Sequence, residues 1–117
     1  MNIDGLVMRV SSTAEQGVVG TDTRLHFRQK GSKVLGRYSG GAIVRGFLVG
    51  RLAGSQLLFR YVQVEASGEI HGGSSVCEVV QQPDGRARIL EHFTWRTRSG
   101  GGTNVFDEFR AAPGLGS

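Results

Sequence analysis

The sequence predicts a single all-β domain, one small antiparallel up-and-down β-barrel of about eight strands. Three observations lead there. The chain has 117 residues with 19 glycines and 2 prolines, and the glycines stand singly or in pairs between apolar runs, as turn and bulge residues do. Turn-forming strings recur at roughly 8–12-residue spacing, the mark of a sandwich or barrel. No stretch carries a capped apolar stripe with the 3.6-residue period of a helix.

Taken in order, the strands are Gly5–Ser12, Thr21–Gln29, Lys33–Ser39, Ala42–Leu52, Gln56–Glu65, Glu69–Gln81, Arg86–Thr97 and Thr103–Arg110. Val18–Thr21 belongs either to the second strand or to a loop before it. In that strand Leu25 and Phe27 point opposite to Arg24, His26 and Arg28, which puts the basic side chains in water. Gln29-Lys30-Gly31-Ser32 and Ser39-Gly40-Gly41 punctuate the next two junctions. Ile43–Leu52 is apolar on both faces. So is Gln56–Glu65, with Leu57, Phe59 and Tyr61 on one side and Leu58, Arg60, Val62 and Val64 on the other. With no helix to cover an outer face, such strands point to a homo-oligomer packed wall to wall; a flattened sandwich is the alternative. In Arg86–Thr97, Ile89, Glu91, Phe93 and Trp95 share the side expected to face inward. The domain spans residues 5–110, and the Gly/Pro-rich Ala111–Ser117 is expected to fray. Eight strands is the number at which a barrel closes around its own side chains or one small ligand.

Composition narrows the function classes. Cys77 is the only cysteine, so no intramolecular disulfide forms, and a reducing compartment is favoured. Met1-Asn2-Ile3-Asp4 has no basic stretch and no long apolar run follows, which argues against a secretory signal and a membrane span. A soluble cytoplasmic protein is expected. The formal charge is +4 and the pI is near 10.0. Arg24, Arg28, Lys30, Lys33 and Arg37 cluster, but no nucleic-acid motif accompanies them, and a solvated outer face accounts for them.

Glu91 is the sharpest polar anomaly, because an unpaired carboxylate among Ile89, Phe93 and Trp95 is costly. Either it has a partner or its pKa is raised and it serves a site. Glu78 alternates with Ser74, Val76 and Val80 and is a second candidate. Arg45, between Ile43 and Phe47, is a partner for either, and an Arg–Glu pair that only fixes register is the plain alternative. Phe27, Tyr38, Phe59, Tyr61, Phe93 and Trp95 either fill the core or line a pocket. The pocket is the better reading if Glu78, Glu91 and Arg45 also point inward. The spacing of His26, His71 and His92 matches no metal pair. Cys77 reads as a small buried hydrophobe. Arg37-Tyr38-Ser39-Gly40-Gly41-Ala42 fits the loose Arg-x-x-Gly-x-Ala pattern that binds coenzyme A pyrophosphate. That chemistry needs a helix N-terminus, and the string reads as a glycine hairpin turn instead. No cofactor is implied.

The segments Thr23–Gln29, Tyr38–Gly41, Phe59–Gln63 and Leu90–Trp95, together with Asp84-Gly85-Arg86, carry a family resemblance. From about Val7 to Phe109 the chain resembles a family of short bacterial proteins often labelled N-acetylglutamate synthase. The resemblance implies a compact barrel of the lipocalin/avidin-like kind and carries no catalytic signature.

Three functions follow for testing. The first is a barrel binding a small apolar or amphipathic molecule, with Phe27, Tyr38, Arg45, Phe59, Tyr61, Glu91, Phe93 and Trp95 around it. The second is an enzyme on the same barrel, a cyclase or isomerase of an apolar metabolite, with Glu91 or Glu78 as acid or base and Tyr61 as donor. The third is an interaction module for nucleic acid or protein built on the basic first hairpins.

Overall fold

The structure is a computed structural model that describes residues 1–110; the tail expected at 111–117 lies outside them. Eight strands run β1 Val7–Ser12, β2 Arg24–Lys30, β3 Lys33–Gly40, β4 Ile43–Ala53, β5 Gln56–Glu65, β6 Ile70–Gln81, β7 Ala87–Trp95 and β8 Gly101–Glu108. Each pairs antiparallel with the next, and β8 returns to pair with β1, so the sheet closes into an up-and-down barrel. Closure removes the exposed edges that an open sheet of this size would carry. No helix among the described residues is long and apolar enough to cross a membrane.

The turns follow from the glycines. Lys30 pairs with Lys33 and Ala53 with Gln56, leaving Gly31-Ser32 and Gly54-Ser55 as two-residue loops. The first residue of each has φ of 60°, a left-handed conformation that glycine adopts without strain and that a tight hairpin with the twist of the sheet requires. Gly40 and Gly41, at φ 117° and 64°, make the β3–β4 turn, so the Arg37–Ala42 string is a hairpin. Val18–Thr21 falls in a long β1–β2 loop and not in β2.

Alternation along the strands fills the interior with Met8, Leu25, Phe27, Val34, Leu48, Leu57, Phe59, Val79, Ile89, Phe93 and Phe106. The end bearing the Gly31, Gly54 and Gly85 turns is closed by apolar side chains. Ile3 is fully buried, held where its N–H donates to Gln29 Oε1 at 2.8 Å. Arg24, Arg28, Lys30, Lys33 and Arg37 all lie on the outer side of β2 and β3.

Two sequence expectations fail for local reasons. Arg45 is exposed and not inward. The β4–β5 register slips between Ile43 and Arg45, and this bulge leaves Val44 and Arg45 both outside while Ile43 points in. Glu78 is also exposed, because the inward positions of β6 are Gly73, Ser75, Cys77 and Val79. Neither residue reaches the lumen, and neither pairs with Glu91.

The two-sided apolar character of β4 and β5 is real. Leu35, Val44, Phe47, Val49, Val62, Val64, Ile70 and Val76 are exposed on the outer wall formed by β3 to β6, Phe47 at 54 % and Ile70 at 64 %. A single barrel leaves this apolar patch in water.

Candidate ligand-binding site

At the other end of the barrel the interior turns polar. Phe59, Tyr61, Gln63 and Glu65 follow one another along the inner face of β5, and Glu91, Phe93 and Trp95 along β7. Ser75 of β6 and Asn104 of β8 complete the ring, with Cys77 and Asn104 directly opposite Glu91 on its two neighbouring strands. Glycines make room for the rings. A Cβ on Gly46 would fall inside the Tyr38 ring, and one on Gly73 would collide with the Tyr61 hydroxyl. These inward glycines are therefore spacers.

The result is a cavity of about 360 Å³ of unfilled space, counting its opening, lined by Tyr38, Tyr61, Gln63, Glu91, Trp95 and Asn104 among others. Its enclosed part has room for about one or two waters. Anything larger requires the roof to shift. That roof is the β1–β2 loop, whose Gly17, Val18 and Val19 line the cavity. Three hydrogen bonds tack its first half to the barrel and a fourth closes a turn within it. Trp95 Nε1 donates to Gln16 O at 2.9 Å, Gly101 N to Gln16 Oε1 at 2.9 Å, Ala14 N to Asn104 Oδ1 at 2.9 Å and Gly17 N to Ala14 O at 2.9 Å.

Glu91 is 6 % exposed. Ser75 Oγ donates to its Oε2 at 2.7 Å and Asn104 Nδ2 to its Oε1 at 2.9 Å. Burial pushes its carboxyl above the ordinary carboxylate value, and these two hydrogen bonds offset only part of that effect. A second chain of bonds runs towards the mouth. Tyr38 Oη donates to Gln63 Oε1, Gln63 Nε2 to Glu65 Oε2 and Arg98 Nη2 to Glu65 Oε1, each at 2.8 Å. Burial alone would raise Glu65, but the bonds from Arg98 and Gln63 and the Arg98 charge outweigh it and hold this carboxyl below its usual value. Arg98 also lies 4.7 Å over the Trp95 ring, a cation–π contact at the rim.

Tyr61 differs from these. Its hydroxyl is the one buried side-chain polar atom with no hydrogen-bond partner among the described residues. Burial pushes the phenol up, so it is un-ionised.

Of the residues expected at a pocket, Tyr38, Phe59, Tyr61, Glu91, Phe93 and Trp95 meet at the cavity. Phe27 is buried one layer deeper, in the closed apolar end, and does not line it. Glu78 and Arg45 stand outside the barrel. Sequence reasoning missed Ser75, Gln63, Asn104 and the roof residues. Carrying the β5 alternation past Tyr61 reaches Gln63, and alternation of Asn104 with Phe106 in β8 marks Asn104 as inward. No comparable signal exists for residues 17–19.

A family model described as avidin-like protein matches residues 1–109. No curated protein and no solved structure matches the chain. The match runs from the Ile3 plug through the last strand, over the same eight-stranded closed barrel that the coordinates show. The chain belongs to the avidin-like protein family.

Proposed function

We propose that this barrel binds a small apolar or amphipathic molecule in its mouth-end cavity. The observation that carries the reading is the Tyr61 hydroxyl, buried without a partner beside a cavity whose other polar groups are satisfied. Leaving a hydroxyl so costs about 1–3 kcal/mol, a cost removed by a polar group of a bound molecule that hydrogen-bonds to it, whether the hydroxyl donates or its oxygen accepts. Apolar walls with a few convergent polar groups are the usual make-up of small-molecule sites. A screen of small amphipathic compounds by amide NMR tests it. Hits should move the resonances of Ser75, Glu91 and Asn104 together with residues 17–19. Hits confined to the outer wall would overturn the proposal.

The apolar outer wall of β3 to β6 supports a homo-oligomer, and the lone buried Cys77 fits work in the cytoplasm. A second reading draws on the raised Glu91 carboxyl. Protonated, it is a general acid beside the Tyr61 donor, the pair a cyclase or isomerase of an apolar metabolite needs. Loss of turnover in Glu91→Gln with the fold retained would favour that reading; unchanged turnover of a substrate would remove it.

A further inference from the structure

Glu91 has no cationic partner among the described residues. Both of its hydrogen-bond donors, Ser75 Oγ and Asn104 Nδ2, are neutral. Arg98, the arginine at the mouth, is committed to Glu65 at 2.8 Å and to the Trp95 ring. A carboxyl this deeply buried is normally matched by a positive charge. Here the space beside it is occupied by the cavity.

The walls of that cavity suit the missing charge. Tyr61 meets Trp95 at 5.5 Å between ring centroids and 71°, Phe93 meets Trp95 at 5.8 Å and 76°, and Phe59 meets Tyr61 at 6.1 Å and 71°. Rings set nearly perpendicular to one another surround the cavity with aromatic faces and edges. Faces carry the negative lobe of the ring quadrupole and attract cations. Apart from the Tyr61 hydroxyl, an anion would meet Glu91, Gln63 Oε1 and these rings, all of the wrong sign.

We propose that the molecule bound in the lumen carries a positively charged ammonium head, seated against Glu91 among the Tyr38, Tyr61 and Trp95 rings. Its apolar remainder packs against Leu25, Leu48 and Phe106 under the Val18–Val19 roof. This rests on the binding reading above and specifies its ligand class.

The proposal fixes a proton balance. Burial favours the neutral carboxyl of Glu91 in the unliganded barrel, whereas an ammonium ion pairs with the carboxylate. At any pH where Glu91 is protonated in the free barrel, binding therefore breaks its O–H bond and sends that proton to solvent, one per cation bound. Other groups facing Glu91 do not compete for it. Tyr38 from β3, Tyr61 from β5 and Cys77 from β6 are all pushed up by burial and stay neutral. Asn104 from β8 does not titrate, and β1, β2 and β4 present no titratable side chain to the lumen. Glu65 is held by Arg98, His71 of β6 stands at the rim against the Trp95 ring and is bonded to Thr97 and Glu69, and His92 lies on the outer side of β7.

The experiment compares n-butylammonium, n-butanol and butyrate, three heads on nearly the same chain, by fluorescence of Trp95, the only tryptophan. Calorimetry in buffers of different protonation enthalpy counts protons. Butylammonium should bind most tightly, and its affinity should rise by up to about tenfold per pH unit while Glu91 remains protonated in the free barrel. Up to one proton should leave per molecule bound, and the count should fall towards zero at the pH where Glu91 ionises in the free barrel. Glu91→Gln should remove both the preference and the pH dependence; if that variant does not fold, the parent's pH series decides alone. Butanol or butyrate binding as tightly as butylammonium, or butylammonium affinity flat with pH, overturns the ammonium head and leaves the binding barrel standing. Silence from all three up to their solubility limits removes both.

Discussion

Two tyrosines of the lumen face the same substitution with opposite expected outcomes. Tyr61→Phe deletes a buried hydroxyl that has no partner. The penalty for such a group is about 1–3 kcal/mol, and the substitution removes it while keeping the ring and its contacts with Phe59 and Trp95. Tyr38→Phe deletes a hydroxyl that donates to Gln63 Oε1 at 2.8 Å. It loses a bond of about 0.5–1.5 kcal/mol and leaves a buried acceptor unpaired, at a similar further cost. In a chain of this length 1 kcal/mol corresponds to roughly 4 °C in Tm. Thermal unfolding without ligand should therefore show Tyr61→Phe several degrees above the parent and Tyr38→Phe several degrees below it. Ligand affinity should fall in Tyr61→Phe despite the gain in stability. A Tyr61→Phe protein no more stable than the parent would refute the reasoning, because it would mean that solvent already satisfies the hydroxyl.

Other expectations follow from the same site. Burial raises the Glu91 carboxyl above its ordinary 4.5, so its contribution is complete below that pH and is lost as pH rises through the higher native value. Glu91→Gln keeps both hydrogen bonds, since the Ser75 hydroxyl can accept, and denaturant titrations should show it gaining on the parent with rising pH by at most about 1.4 kcal/mol per unit. Glu65 has the opposite sign. It is held below its ordinary value, so the stability it gives is present above 4.5 and fades as pH falls. Arg98→Met should cost about 1–2 kcal/mol near neutrality, a partly buried pair counting for less than a fully buried one, and almost nothing in acid. Gly46→Ala drives a methyl into the Tyr38 ring and should cost about 1–3 kcal/mol by overpacking, read as a lower denaturant midpoint. Phe47→Glu on the apolar wall should shift the protein to monomer in size-exclusion chromatography with light scattering; a parent that is already monomeric ends the oligomer reading.

Much of this architecture is legible in the sequence because turn glycines and strand alternation are local signals. The eight strands and the inward face of β7, with Glu91 between Ile89 and Phe93, follow from counting by twos. Arg45 does not, because a single bulged residue at Val44 inverts the parity that placed it beside Ile43. Glu78 misleads for a different reason. Val76 and Val80 beside it are outer-wall residues on an apolar patch, so hydrophobicity alone could not say which side of β6 is in. Ser75, Gln63 and Asn104 are neutral, and neutral polar residues announce nothing until their partners are known. The roof of residues 17–19 depends on a hydrogen bond donated by Trp95 to Gln16 and one accepted by Asn104 from Ala14, partners 79 and 90 residues apart.

The pairing of β8 with β1 makes the strand order a ring. Met8 stands opposite Glu108, and Phe109 N donates to Val7 O at 2.7 Å, so the two extremities of the barrel leave side by side from the apolar end. A short tether could join them, and the chain could be opened instead at Gly31-Ser32 or Gly54-Ser55 with every strand pair retained. Such circular permutants would keep the roofed mouth untouched at the far end. They would also move β1, joined to β2 by only three residue pairs, from the end of the polypeptide to its middle. The avidin-like barrel is in this sense a cyclic object, and the seam at which it is cut can be chosen by the engineer.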